Sequence, residues 1–245
     1  CVIVIRTYVG SRLFYEADRG PRLATLPENR PRRNQVAPVF CAIRCVTSVW
    51  RRCTHPNCSL GDVNRIESER LELVSMSPGL IASVLEDNRG DAEVLGGFTL
   101  PDDWPDTHDR RFLLFRLRQM RERPELEPWF VYGVVLPEGE RPLIGHAGFH
   151  GPPGTNAVKA ADALEVGYTI FEPYRRRGYA TEVVRALMDW ASREHAIRHF
   201  VASIAPGNEP SLALVRRLGF EQTGRHWDQE DGEELEFELQ VSAGA

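Results

Sequence analysis

The sequence predicts an α/β (α+β) domain whose mixed, mostly antiparallel central sheet carries helices on both faces. Three observations point there. Short stretches with apolar residues at every second position alternate with longer stretches of 3.6-residue spacing, the periods of half-buried strands and amphipathic helices. Two strand stretches are joined by Pro-Glu-Gly-Glu-Arg (137–141), a hairpin signal that makes its strands antiparallel. Near the middle, a strand, a helix and a strand follow one another, and such a β-α-β unit introduces a parallel pair.

The elements follow in order. Residues 69–76 alternate Leu71 and Leu73 with Arg70 and Glu72, the pattern of a strand. Ser77-Pro78 opens a helix with Leu80, Val84 and Leu85 on one face. An acidic turn at 101–106 leads into a helix marked by Leu113, Leu117 and Met120. Strands are expected at 129–136 and 142–149, then a loop over 151–161. The next strand, 163–171, puts Leu164, Val166, Tyr168 and Ile170 on one face and Glu165, Gly167 and Thr169 on the other. A helix follows, with Ala180, Val183, Val184, Leu187 and Trp190 at helical spacing. The chain then reads strand (199–205), helix ending at Gly219, and a final strand pair.

Residues 1–62 differ from the rest. They hold all five cysteines (Cys1, Cys41, Cys45, Cys53, Cys58) and ten arginines against four carboxylates, a charge of +6 where residues 63–245 carry −11. A single domain seldom changes sign so sharply, so the expected division is an Arg/Cys-rich extension of low order, 1–62, and a domain, 63–245. The extension has three readings: a zinc site from the cysteines and His55, a basic arm for nucleic acid, or sequence outside the native protein. Seven residues between Cys45 and Cys53 make a short loop for zinc, and the arginines are scattered with few aromatic platforms. The third reading takes support from Met76 being the first methionine. No metal and no nucleic-acid partner is therefore expected. At 42% hydrophobic and 27% charged, with no apolar run near the roughly 18 residues that span a bilayer, a cytoplasmic protein without a membrane partner is expected.

The most informative stretch is Arg-Arg-Arg-Gly-Tyr-Ala, residues 175–180, between a strand and an amphipathic helix. A helix N-terminus exposes unsatisfied N–H groups and partial positive charge, and so binds phosphates. Gly178 permits close approach of the main chain, Ala180 keeps the first turn uncluttered, and the arginines add charge for a multiply anionic ligand. A solvated basic junction is the plainer reading of the same residues. The wider context, Leu-Glu-Val-Gly-Tyr-Thr-Ile-Phe-Glu-Pro-Tyr-Arg-Arg-Arg-Gly-Tyr-Ala (164–180) and Asn-Glu-Pro-Ser followed by Arg-Arg-Leu-Gly-Phe (208–220), resembles the GNAT acetyltransferase superfamily. It is most similar to the branch of ribosomal-protein alanine N-acetyltransferases.

The resemblance covers about residues 69–241 and implies a GNAT fold, its sheet splayed at the site of acetyl-CoA, the co-substrate. It implies pyrophosphate contact by Arg175, Arg176, Arg177, Gly178, Tyr179, Ala180 and Thr181, and pairing of pantetheine with backbone around Tyr168, Ile170 and Phe171. Asn208 would lie near the pantetheine arm, yet it also suits an N-cap. The implied reaction is direct attack of a primary amine, small-molecule or protein N-terminal, on the thioester.

An alkyl ammonium must lose a proton before it attacks, and Glu165 is the first candidate base. A buried carboxylate otherwise needs a partner, and His146 or His150 on the neighbouring strand would provide one. Both histidines are also candidate bases or substrate contacts; Asp102 and the nearby Asp103 and Asp106 are candidate acceptor contacts through charge, and Trp104 beside them is a further candidate contact. One departure stands out: many members of the superfamily have a proton-donating tyrosine where this chain has Val215. Ser211 or water then becomes the proton source for the thiolate. An acyl-CoA-binding sensor without efficient turnover is the alternative, and a monomer or homodimer is expected.

Overall fold

The computed structural model describes residues 2–3, 64–229 and 232–242. Two compact units divide the chain: Cys1–Val9 with Val63–Ala245, and Gly10–Asp62. The second unit, and the zinc and basic-arm readings of residues 1–62, lie outside the described residues.

In chain order the elements are β1 (Val2–Ile3), β2 (Arg65–Glu67), β3 (Glu72–Ser75), α1 (Pro78–Leu85), α2 (Arg89–Gly96), α3 (Thr107–Glu122), β4 (Val131–Val135), β5 (Leu143–Phe149), β6 (Ala163–Ile170), α4 (Tyr179–His195), β7 (His199–Ile204), α5 (Glu209–Leu218), β8 (Glu221–Asp228) and β9 (Gly232–Gln240). The sheet runs β2-β3-β4-β5-β6-β7-β9-β8, with β1 beside β6. Every pair is antiparallel except β6 with β7. This is the GNAT fold the sequence implied. None of the described helices is long and apolar enough to cross a membrane.

Helices cover both faces, each over its own core. On one side Val183 and Leu187 of α4 and Leu212 and Val215 of α5 pack on Val166, Tyr168 and Phe200. On the other, Leu80 and Ile81 of α1 and Phe112, Leu113 and Leu117 of α3 pack on Val74, Val131 and Leu143. Burying each such side chain stabilises the fold by about 1.5–3 kcal/mol before entropy is counted.

Two elements escape the periodicity argument. β2 pairs with β3 because Ser68 closes the turn between them, its hydroxyl bonding Leu71 O and N at 3.2 Å. The strand expected over 69–76 therefore shortens to β3. α2 has Val94 and Leu95 exposed and is defined by its ends: Asn88 caps its start, and Gly97 at φ 66° closes it in the left-handed conformation.

The feature that positions the site is the fork between β6 and β7. They pair only where Ala163–Glu165 faces His199–Val201. Beyond it, β6 stays with β5 as far as Ile170, and β7 continues with β9 to Ile204. On the β7 side of β6, Ile3 and Val2 pair with Tyr168 and Thr169.

Candidate active site

Two pockets meet at the end of β6. The first, about 800 Å³, is built on the start of α4. Arg176 (φ 60°) and Gly178 (φ 83°) are both left-handed, which curls the backbone into the kind of concavity that gathers N–H groups around an anion. Gly178 is the N-cap and no side chain caps this helix, so its first-turn N–H groups are left for a ligand. Arg175, Arg176, Arg177 and Arg217 line the pocket against one carboxylate, Glu172. Ile170, Tyr174, Tyr179, Ala180 and Thr181 also line it, as do Pro210, Ala213 and Leu214 of α5. A clasp holds the turn from outside: Arg70 donates to the Glu182 carboxylate at 2.8 Å and to Arg177 O at 3.1 Å.

The second pocket, about 640 Å³, opens on the opposite face of the sheet. Its wall combines Leu100, Trp104, Leu143 and Phe171 with four carboxylates, Asp103, Asp106, Asp109 and Glu172, and among the described residues Arg175 is its one arginine. Trp104 and Phe171 lie with ring centroids 6.1 Å apart. Thr169 lines this pocket and Ile170 the other, because consecutive strand residues point to opposite faces. Glu172, Pro173, Tyr174 and Arg175 border both.

At the floor of the second pocket, His146 Nε2 and Asp109 Oδ1 are 3.0 Å apart. His146, opposite Thr169 across β5 and β6, is 3% exposed and stacks on Phe112 at 5.3 Å. Its Nδ1 is buried and has no hydrogen-bond partner among the described residues, and the same holds for Trp104 Nε1.

Other residues singled out in the sequence lie elsewhere. Glu165 is 1% exposed, at the closed end of the fork; it accepts from Ala157 N at 2.7 Å, and His150 Nδ1 lies 3.3 Å from it. Glu165 and His150 line neither pocket. The buried Arg116 braces the end of β5 beside them, donating to Phe149 O and His150 O; burial pulls its guanidinium down to about 9. Ser211 is fully buried and shares a 3.1 Å hydrogen bond with the Tyr168 hydroxyl, which burial, partly offset by that bond, pushes up to about 12. Asn208 caps α5, accepting from Ser211 N. Asp102 is fully exposed beside Arg89 and borders a smaller hollow. Val215 is buried in the core.

Asp109, Arg217 and the Arg70 clasp went unnoticed in the sequence. A signal existed for Arg217: Pro210, Ala213, Leu214 and Arg217 recur at helical spacing, and that face of α5 borders the first pocket. For Asp109 there was the same spacing with Phe112 and Leu113, which puts a carboxylate on the buried stripe of α3.

Comparison with known proteins supplies the remaining finding. A family model described as an acetyltransferase (GNAT) domain matches residues 70–221. An uncharacterized N-acetyltransferase of Bacillus subtilis, YjdG, is 23% identical over 156 residues, covering 63% of this chain and 88% of its own. The [ribosomal protein uS5]-alanine N-acetyltransferase of Escherichia coli is 30% identical over 110 residues, 44% of this chain and 54% of its own length. Among solved structures, a putative GNAT-family acetyltransferase from Bordetella pertussis shares the fold with a TM-score of 0.50 at 24% identity, over 72% of this chain and 99% of its own. A ribosomal-protein-S5-alanine acetyltransferase from Vibrio fischeri does so with a TM-score of 0.50 at 20% identity, over 73% and 97%.

Proposed function

The chain belongs to the GNAT acetyltransferase family, and from that premise we propose that it transfers an acetyl group from acetyl-CoA to a primary amine by direct attack. One observation carries the reading: adjacent residues of β6, Thr169 and Ile170, line two pockets of opposite character that share the 172–175 segment. The arginine-rich pocket suits a donor bearing several phosphates. There the N–H groups of Tyr179, Ala180 and Thr181 take the pyrophosphate, and Arg175, Arg176, Arg177 and Arg217 add charge. The acidic, aromatic pocket suits a cationic amine. Acetyl-CoA supplies the activated acyl group; the protein supplies position and proton transfer. No cysteine follows residue 62, so a cysteinyl acyl-enzyme has no part in the domain.

Glu165 and Ser211 are given supporting roles here. Glu165 anchors the 151–161 loop through Ala157 N, and Ser211 holds Tyr168 across the core. Asn208 caps α5, the helix whose Pro210, Ala213, Leu214 and Arg217 line the donor pocket. The acceptor is a small-molecule amine or a protein N-terminus, the class named for the Escherichia coli relative.

A screen of alkyl amines and free peptide N-termini against acetyl-CoA, scored by release of the CoA thiol, tests the proposal. Thiol release with at least one amine is expected. Tight acetyl-CoA binding with no release for any acceptor would leave an acyl-CoA sensor instead.

A further inference from the structure

We infer that Asp109, held in place by His146, is the catalytic carboxylate that binds the acceptor's ammonium and takes its proton, and that the pocket selects an ammonium carried on an apolar body. The inference rests on the proposed acetyl transfer and assigns its acceptor side.

The geometry separates the two members of the pair. Asp109 lines the pocket, whereas His146 lies behind it, between Phe112 and Phe171. With a proton on Nε2, the imidazole donates to Asp109 Oδ1 and fixes the carboxylate's orientation. Charging the ring would also place an N–H on Nδ1, which is buried with no acceptor among the described residues. An unmet buried donor costs about 1–3 kcal/mol, more on a charged group. The imidazole is therefore the positioning residue, and the proton from the amine stops at Asp109.

In the same lining as Asp109, Trp104, Leu143 and Phe171 offer apolar surface. An ammonium at the carboxylate leaves its hydrocarbon body against these rings, where cation–π attraction adds to burial. The Trp104 Nε1–H, buried and also without an acceptor among the described residues, gives the body's carbonyl or hydroxyl a donor once the side chain shifts to meet it.

The step balances. The ammonium gives one proton to Asp109, and its nitrogen bonds to the acetyl carbonyl carbon. The carbon–sulfur bond then breaks, and the thiolate leaves as thiol with the second proton lost from nitrogen. The proton on Asp109 passes to solvent through the pocket mouth.

A purely structural role is the rival account, since Asp109 N bonds Asp106 Oδ1 in the first turn of α3 and a carboxylate there steadies the helix. Two acceptors of similar outline separate the accounts: benzylamine, an ammonium at pH 7, and aniline, already neutral. Asp109→Asn is expected to lower kcat/KM for benzylamine by about 10² to 10⁴-fold, the usual worth of a general base, and for aniline by less than about tenfold. Calorimetry with CoA present should show benzylamine binding weakened at least about tenfold while CoA affinity holds. His146→Phe, which keeps the stack on Phe112 and removes the hydrogen bond, should lower kcat for benzylamine about tenfold and serves if Asp109→Asn fails to fold. Equal losses for both amines, or unchanged benzylamine binding, would overturn the inference while leaving acetyl transfer standing. A wild type that binds acetyl-CoA, acetylates other amines and ignores benzylamine would overturn the apolar-body specificity. Should no amine be acetylated at all, the proposed function fails first and Asp109's role with it.

Discussion

At residue 178 the backbone has φ 83°, and a Cβ built there would stand 3.4 Å from Arg70 Nη2. Any side chain at that position adopts a left-handed conformation costing about 1–2 kcal/mol, and a carboxylate adds repulsion toward phosphate. Gly178→Asp is therefore expected to weaken acetyl-CoA binding tenfold or more by calorimetry, and unchanged affinity in a folded variant would remove the turn from the donor site. Glu165 carries a different expectation. Strand alternation located its face correctly, opposite Val166 and Tyr168, but alternation has no information about depth along the strand. Depth decides the role: Glu165 sits where β6 and β7 still pair, and Thr169 where they have parted. Glu165→Gln should thus lower the melting temperature by several degrees, in line with about 1–2 kcal/mol for a buried charge-assisted hydrogen bond, and change kcat less than about threefold. A hundredfold loss of kcat with donor binding intact would return Glu165 to the role of base.

Between elements, the start of α4 is tied to the β2–β3 turn by Glu182, which accepts from Ser68 Oγ at 2.7 Å, Arg70 N at 2.7 Å and Arg70 Nε at 2.8 Å. Partial burial pushes the Glu182 carboxyl up, but these bonds together pull it below the ordinary 4.5. Glu72, bonded twice by Arg141 against a smaller burial effect, is lowered too. A carboxyl depressed on folding stabilises the native state fully above its unfolded pKa, and the contribution fades as pH falls below that value. Thermal melts should accordingly be flat from neutral pH to about 5 and decline below 4.5, the ordinary value for both groups. Glu182→Gln should lower the neutral-pH melting temperature and make the acid decline shallower; an unaltered acid limb would assign it to other groups. None of this was legible in the sequence, because Ser68 and Arg70 lie more than a hundred residues from Glu182 and no local period connects them. The strands and helices with strong periodicity were legible, while β2 and α2, defined by a side-chain turn and by caps, were not.

Across the whole chain, the family and the sheet with its two helical layers followed from local pattern and motif. Of the acidic, aromatic pocket only Trp104, Asp103 and Asp106 were singled out in the sequence as acceptor contacts, because it is assembled from α3, the 99–104 segment and the end of β6, which only the folded chain brings together. One further juxtaposition is of that long-range kind. Val2–Ile3 pairs with Tyr168 and Thr169 on the edge of β6 that faces the fork, the edge along which the resemblance runs the donor's pantetheine. If the donor uses that edge, Val2–Ile3 competes with it, and acetyl-CoA binds only the fraction of molecules in which this pairing has opened. If the strand's net worth is about 1 kcal/mol, its removal amounts to about fivefold in apparent affinity. A chain beginning at Val63 should bind acetyl-CoA about that much more tightly than the full chain and keep the same kcat at saturating donor. Equal affinities would mean that strand and donor use different edges, and a truncated chain that no longer folds would make the first segment part of the domain.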